Sequence, residues 1–329
     1  SVQLAERLGG RIAYQSDGVP FFVFEMIRSL REQKFLQRLP DGSYVESKVI
    51  EDIEVPSAVR DLIEARLASL PTQERAMLDV GAVQGFEFDG DLVARVLDVR
   101  RLEVLQRLAA LARRRGVIRP SGRRYAFDHH QIQEVLVAHL PPALREEYHA
   151  LLANALEERE RARGDEGDMD PEVRVALARH HLSGTQVARG LPHVGVALSH
   201  LSRTYRNEAY LEIVEKALRV PGVAPPQRCR WLLGQEHRLG LLGRTDARDA
   251  ILERALALAV EAEDATLEGR THVRFFELLR HRGQLDLAAE HLAAAQRLAP
   301  PSGDADLRLS VLLHAGSLAY DRGRFEDAK

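Results

Sequence analysis

The sequence predicts a mainly α-helical protein, on three observations. Leu, Ala, Arg and Glu dominate every long stretch while aromatic residues make up only 5% of the 329 residues, a bias that favours helices packed on helices. Most long stretches place apolar residues three or four positions apart, the spacing of one helix face. Finally, Gly243, Gly283 and Gly323 recur at a constant interval (283 − 243 = 323 − 283 = 40), which indicates a repeat.

Residues 1–50 predict helices and one hairpin. Pro20 follows a turn in "SDGVPFF" and suits the first position of a helix, "PFFVFEMIRSL", whose apolar residues face nearly all sides. We therefore expect this helix to be buried. In "FLQRLPDGSYVES", the turn residues "PDG" separate two short alternating runs, which predicts a β-hairpin.

Residues 51–160 predict a winged-helix domain. Four amphipathic helices ("PSAVRDLIEARLASL", "PTQERAMLDVGAVQG", "DGDLVARVLD" and "RRLEVLQRLAALARRR") precede "GVIRP", a turn at "SGRR", and "YAFDH". Helices followed by such a hairpin are typical of a winged helix. Two further helices follow, and the highly charged "RERARGDEGDMDPE" predicts a solvated linker.

Residues 161–329 predict a helical repeat array. The segment "ELLRHRGQLDLAAEHLAAAQRLAP" has Ala288, Leu292 and Ala295 at inward positions and Pro300 as a stop. It resembles a tetratricopeptide repeat lengthened from the usual period of about 34 residues. The complete prediction is a helical subdomain, a winged helix and a tetratricopeptide-like α-solenoid. Because the chain starts without Met and stops within a helical pattern, we expect it to be part of a longer protein.

The segment "YAFDHHQIQEVL" is the most conspicuous candidate site. A metal site needs three or four convergent ligands, and nothing near His129, His130 and Glu134 completes a set. No nucleophile stands at a suitable spacing either, so we predict no catalytic and no metal-binding residue. The simplest alternative is a histidine hydrogen-bonded at the start of a helix.

Several segments in order resemble one family. The segments "DGVPFFVFEMIRSL", "VPSAVRDLIEARLASLPTQERAMLDVGAVQGFEFDGDLVARVL", "LQRLAALARRRGVIRP" and "YAFDHHQIQEVLVAHLPPALREEYHALLANALE" are similar to the part of a STAND-type signal-transduction ATPase that follows its P-loop core. Such proteins include large LuxR-type regulators and kinase- or cyclase-linked ATPases of bacteria. The resemblance makes residues 1–50 the end of a nucleotide-binding module, and the repeats match the sensor arm of such proteins.

The resemblance implies particular site residues. Gly18 and Pro20 match a G-x-P element whose proline leans on adenine, and His129 of "FDH" stands where a winged-helix histidine reaches the β-phosphate of ADP. An imidazole at a helix start is suited to phosphate, because the amide groups of the first turn add positive potential. Whether His129 or its neighbour His130 faces the nucleotide stays open.

The chain has no G-x-x-x-x-G-K-[ST] motif, so we expect no hydrolysis and no cofactor in these residues, with ATP or ADP and Mg²⁺ bound elsewhere in the longer protein. The expected partners are the chain's own upstream ATPase core and a protein or small-molecule signal on the repeats. The function would be regulatory, with the winged helix relaying nucleotide state.

An arginine cluster provides a rival hypothesis. Six positive charges fall within twelve residues: Arg113, Arg114, Arg115, Arg119, Arg123 and Arg124. They would suit a DNA-binding winged-helix transcription regulator, although a net charge of −3 and a mostly apolar preceding helix favour a solvated or phosphate-facing cluster. A passive tetratricopeptide scaffold is the second alternative.

The single cysteine, Cys229, excludes an internal disulfide and fits a reducing compartment. No apolar run reaches the length of a membrane span and no signal peptide opens the chain, so we predict a cytoplasmic location without membrane contact.

Overall fold

The computed structural model describes residues 9–10, 12–13, 20–32, 36–38, 44–46, 63–64, 67–68, 70–114, 117–164 and 169–323. The fold is mainly α, with fourteen α-helices among these residues. Two compact units divide the chain, Ser1–Glu166 and Gly167–Lys329. Gly18 and Arg115 lie outside the described residues.

The first unit contains six of the helices and all five described strands. In chain order these are α1 (Pro20–Glu32), β1 (Leu36–Arg38), β2 (Tyr44–Glu46), α2 (Thr72–Gln84), β3 (Glu87–Phe88), α3 (Gly90–Val96), α4 (Arg101–Arg114), β4 (Ile118–Ser121), β5 (Arg124–Phe127), α5 (His130–His139) and α6 (Pro142–Arg163). The predicted hairpin around "PDG" is confirmed, with β1 antiparallel to β2 and Gln37 opposite Val45.

A three-stranded sheet organises the core of this unit. The hairpin predicted at "SGRR" is confirmed as β4–β5, and β3 adds a strand on the other side of β5 that the sequence did not predict. Phe88 and Phe127 pack with their ring centroids 5.2 Å apart and are fully buried. Because Phe127 is the last residue of β5, this packing fixes the point at which the chain leaves the sheet and continues into α5.

Two predictions for the first unit are wrong. α1 is not buried all round: Met26 is fully buried, but Phe24 is 71% exposed, because two positions along a helix point to different faces and only one face is covered. The second wrong prediction is the start of the linker expected over residues 159–172, because the first five of these residues belong to α6. α6 continues to Arg163 and ends at Gly164 in the left-handed conformation. Glu160 is buried and bonded to Arg159 and Arg163.

The second unit is built only of helices in its described part. They are α7 (Pro171–Ser183), a 3₁₀ turn (Val187–Gly190), α8 (Leu191–Arg203), α9 (Asn207–Arg219), α10 (Pro225–Leu241), α11 (Arg248–Glu261), α12 (Ala265–His281), α13 (Leu285–Ser302) and α14 (Ala305–Asp321). α10, α12 and α14 start forty residues apart (265 − 225 = 305 − 265 = 40), and α12 packs against both of the others as well as against α13. This stacking is that of a tetratricopeptide-like solenoid.

The turns between paired helices share one hydrogen-bond pattern. Gly243, Gly283 and Gly323 all have positive φ, near 70°. The amide of Arg244 bonds the carbonyl of Leu239 at 2.9 Å, and the amide of Gln284 bonds that of Leu279 at 2.9 Å. These six-residue loops are Schellman motifs, in which glycine avoids the cost of a left-handed conformation. The predicted glycine turns between helices are confirmed at Gly243 and Gly283, and the residues after Gly323 lie outside the described part of the chain.

The predicted inward positions of the repeat are confirmed. Ala288, Leu292 and Ala295 are buried in one cluster with Phe276, and Trp231 lies in the core of the preceding helices. Small alanines on α13 let its backbone approach α12 closely. Among the described residues, every helix is too short or too polar to cross a bilayer.

Candidate functional site

The sheet of the first unit positions the two adjacent histidines. β5 is its central strand, and the hydrogen bonds continue beyond it, from the amide of Phe127 to the carbonyl of Phe86 and from that of Asp128 to the carbonyl of Val117, both at 3.0 Å. The chain then turns into α5, with His129 as the residue before the helix. A strand paired on both sides therefore fixes where this helix begins.

His129 caps α5. Its Nδ1 accepts a hydrogen bond from the amide of Gln131 at 3.3 Å, which satisfies one of the amides that a helix start leaves without a partner. An accepting Nδ1 puts the proton of the neutral ring on Nε2. The side chain is buried, at 4% exposure. The structure thus shows the hydrogen-bonded histidine at a helix start that the sequence left as the simplest alternative.

His130 faces a different environment. Its ring stacks on Phe86, with centroids 3.8 Å apart and an interplanar angle of 20°. Burial raises the pKa of the nearby Glu134 carboxyl, while charge on His130 and His129 would lower it. The two histidines and Glu134 therefore form one electrostatic neighbourhood. On α5, Gln133 also donates to the carbonyl of Ala82 at 2.8 Å, which ties this helix to α2.

The other predicted nucleotide contact, Pro20, begins α1 and is exposed. The arginine cluster is exposed at the end of α4 and on the β4–β5 hairpin, in Arg113, Arg119, Arg123 and Arg124. Among the described residues, none of these four forms an ion pair. Arg114 lies in the last turn of α4.

The second unit holds a buried carboxylate that sequence reasoning missed. Glu236 on α10 is completely buried. Its Oε1 accepts from Nε of Arg248 on α11 at 2.7 Å, and its Oε2 accepts from Nη2 of Arg274 on α12 at 2.7 Å. Arg274 also pairs with Glu277, whose carboxylate lies 3.2 Å from Nε2 of His314 on α14. One chain of polar contacts thus connects α10, α11, α12 and α14.

Sequence reasoning also missed a histidine pair. His272 on α12 and His291 on α13 are nineteen residues apart, and their Nδ1 atoms approach to 2.9 Å. Only the pairing of α12 with α13 brings them together, so no local pattern could have indicated it.

Comparison with known proteins gives one weak structural similarity. No family model matches the chain, and no curated protein matches it. Among solved structures, the chain is similar to a signal transduction ATPase with numerous domains (STAND) that has a tetratricopeptide repeat sensor, from Pyrococcus horikoshii, with 13% identity and a TM-score of 0.32. The match covers 97% of this chain and 48% of that one, so the chain spans about half of the length of its neighbour. Similarity at this level carries no argument about activity.

Proposed function

We propose that this chain is the regulatory part of a signal-transduction ATPase. In this proposal, the repeats of the second unit bind a protein or small-molecule signal, and the first unit, with a winged helix over residues 51–160, relays that signal to a nucleotide-binding core upstream. The observation that carries the proposal is the position of His129, at the N-terminus of α5 and at the end of the central strand.

The geometry of His129 suits a phosphate sensor. Its Nδ1 is engaged with the amide of Gln131, which leaves the proton on Nε2, the atom that would donate to a phosphate oxygen. The ring is buried in this arrangement, so contact with a nucleotide requires the residues that cover it to move. A nucleotide that binds only the uncovered arrangement would shift the balance between the two states, which is the physical content of a relay.

The repeats support the sensory half of the proposal. A solenoid in which each helix pair contacts only its neighbours presents a long surface that changes its specificity without changing its packing. The buried carboxylate of Glu236, paired with the partly exposed Arg248 and Arg274, connects successive pairs. A ligand that alters one pair would therefore change the packing of the next.

The deciding experiment uses the longer protein, extended upstream by roughly 200 residues, about one domain. It is titrated with ADP and with ATP, as wild type and as His129→Ala. We expect tight ADP binding by the wild type and weaker retention by the variant, with the helical circular dichroism unchanged. His139→Ala is the matched control, since His139 lies at the other end of α5, where it is exposed and pairs with Glu64.

Equal ADP affinity in the His129→Ala and wild-type proteins would remove the sensor role. If the longer protein bound no nucleotide, the hypothesis that it is an ATPase would be rejected. The passive scaffold would then be favoured. In that case, partner binding would respond to substitutions in the repeats and to none in the first unit.

A specific observation keeps DNA binding as a second candidate. Arg119, Arg123 and Arg124 are exposed on the hairpin, without carboxylate partners in the described part of the chain, as a wing that lies along phosphates would require. The test is duplex binding over a series of salt concentrations, with the triple arginine-to-alanine variant as comparison. Salt-dependent binding that the variant loses would favour the DNA reader. We expect no such binding.

A further inference from the structure

Helix α14 has two apolar faces, and only one of them is covered. On the covered face, Leu307 and Val311 are buried in a cluster with residues of α12 and α13. The other face carries four large apolar side chains, each more than half exposed, which together we call the α14 stripe: Leu309, Leu312, Leu313 and Tyr320. Among the described residues, no other helix exposes as many large apolar side chains.

The spacing of the α14 stripe is that of a surface which packs against another helix. With 3.6 residues per turn, its members fall within a band about 100° wide, the width of one buried helix face. The band lies on the side of α14 opposite Leu307 and Val311. A contiguous apolar surface of this kind marks a site of association. The stripe therefore indicates a helical partner.

Opposite charges flank the stripe near the start of α14. Counting about 100° per residue from Leu309, Asp306 lies on one edge of the stripe and Arg308 on the other. Both side chains are exposed, and neither forms an ion pair within the part of the chain that the structure describes. Residues two positions apart on a helix do not face each other, so these two charges cannot pair within one copy. Their complements must come from another molecule.

We propose that the α14 stripe binds a second copy of this chain, with the two α14 helices parallel and related by a two-fold axis that runs along them. A two-fold axis in this direction brings the acidic edge of each helix against the basic edge of the other. Asp306 of each copy then pairs with the partner's Arg308, and the leucines of the two stripes pack together between these pairs. This surface is independent of the nucleotide relay proposed for the first unit.

The charges of α14 disfavour the antiparallel arrangement of the same two stripes. It would bring Asp306 to the side of the partner's Asp321, and Arg308 to the side of the partner's Arg322, so like charges would repel on both edges. Because each copy contributes only one helix, the interface belongs to the small and transient class. Monomer and dimer should therefore coexist, with the monomer dominant in dilute solution.

The first test is analytical ultracentrifugation of the 329-residue chain over concentrations of roughly 1–200 µM, the range in which a transient interface dissociates. We expect a monomer–dimer equilibrium that Leu312→Glu weakens at least tenfold without a change in circular dichroism. Val260→Glu serves as the control, because Val260 is an exposed apolar residue of α11 and lies outside the stripe. Amide exchange in α14 should also slow as the concentration of the wild-type chain rises.

The second test reverses the charges one at a time. Asp306→Arg makes both edges of the stripe basic, and Arg308→Asp makes both edges acidic, so each variant alone should associate at least tenfold more weakly than the wild type. An equal mixture of the two variants restores opposite charges on both sides of the interface. We expect this mixture to associate as the wild type does, through a heterodimer.

Three results would overturn the proposal. If the wild-type chain stays monomeric at every concentration, the stripe is a surface for some other helix. A dimer that Leu312→Glu leaves unchanged would form through another surface. If the two charge variants associate no better in the mixture than alone, the parallel arrangement is wrong.

Discussion

At the scale of single residues, Glu236 stands out in the second unit because its carboxylate is completely buried. A fully buried carboxylate is stable only when it is paired and hydrogen-bonded, and two arginines from neighbouring helices provide this. Because both arginines retain some exposure, the loss on removing the carboxylate should lie at the low end of the range for buried pairs.

We therefore expect Glu236→Gln to lower the free energy of unfolding by about 3 kcal/mol, since it leaves Arg248 and Arg274 without their common partner. Glu208→Gln is the matched control. Glu208 also pairs with an arginine of the next helix pair, but both side chains are more than half exposed, so its loss should be below about 1 kcal/mol. Urea denaturation followed by circular dichroism measures both, and equal effects would show that the burial of Glu236 adds nothing to the strength of its ion pairs.

Glu277 predicts a dependence on pH. Burial acts to raise the pKa of this carboxyl, but the hydrogen bond from His314 and the charges of Arg274 and His314 outweigh it and hold the pKa below its ordinary value. A lowered pKa means that the unfolded chain binds a proton first as the pH falls. The stabilisation is thus complete above the ordinary glutamate range and disappears as the pH falls through the lowered value.

We expect the unfolding temperature to decrease between pH 5 and pH 3, and the Glu277→Gln variant to show a smaller decrease over the same interval. Other carboxylates also titrate there, so the difference between the two proteins is the measurement. Parallel curves of unfolding temperature against pH would show that protonation of Glu277 does not affect stability.

At the scale of secondary structure, the turns between helices show what the sequence predicts and what it does not. Gly243 and Gly283 indicated their turns because only glycine adopts a left-handed conformation at little cost. The turn between α8 and α9 forms the same hydrogen bonds, from Arg206 to Leu201 and from Tyr205 to Ser202, but its left-handed residue is Tyr205, with φ of 56°. A tyrosine carries no turn information, so the earlier turn could not be predicted.

This difference gives an opposed pair of substitutions. Tyr205 is 80% exposed and has little packing to lose, so Tyr205→Gly should stabilise the protein by roughly 0.5–1 kcal/mol through relief of the left-handed strain. Gly283→Ala should destabilise it by about 1 kcal/mol for the converse reason. Urea midpoints that move in the same direction for both variants would refute the explanation.

The candidate sites follow the same division. His129 at a helix start was predictable because a strand, a turn residue and an amphipathic helix follow one another directly in the sequence. Glu236 was not, since its burial depends on arginines twelve and thirty-eight residues away. The strand β3 was missed because two residues are too few to show alternation.

At the scale of the whole molecule, the second unit is a one-dimensional stack. Each helix pair contacts its neighbours only, so local stability follows how completely each helix is covered. Val273 on α12 is buried, whereas Leu313, forty residues later on α14, is 63% exposed, and Leu309 and Leu312 beside it are also exposed.

Amide hydrogen exchange of the 329-residue chain should therefore be faster in α14 than in α12, although both helices have seventeen residues. Mass spectrometry of peptides from the two helices measures the difference. Equal protection would mean that the stack opens as a single cooperative unit.

The constant forty-residue interval between glycine turns has a genetic consequence. When a window of that length is duplicated in tandem, its last residue is joined to its first residue. In the original chain, the last residue is followed by the residue at the equivalent position of the next repeat, so the new junction joins equivalent positions wherever the window begins. The inserted helices then pack against surfaces that already exist, and no new interface has to arise by selection. An array built in this way can change its length by unequal recombination while every junction remains folded.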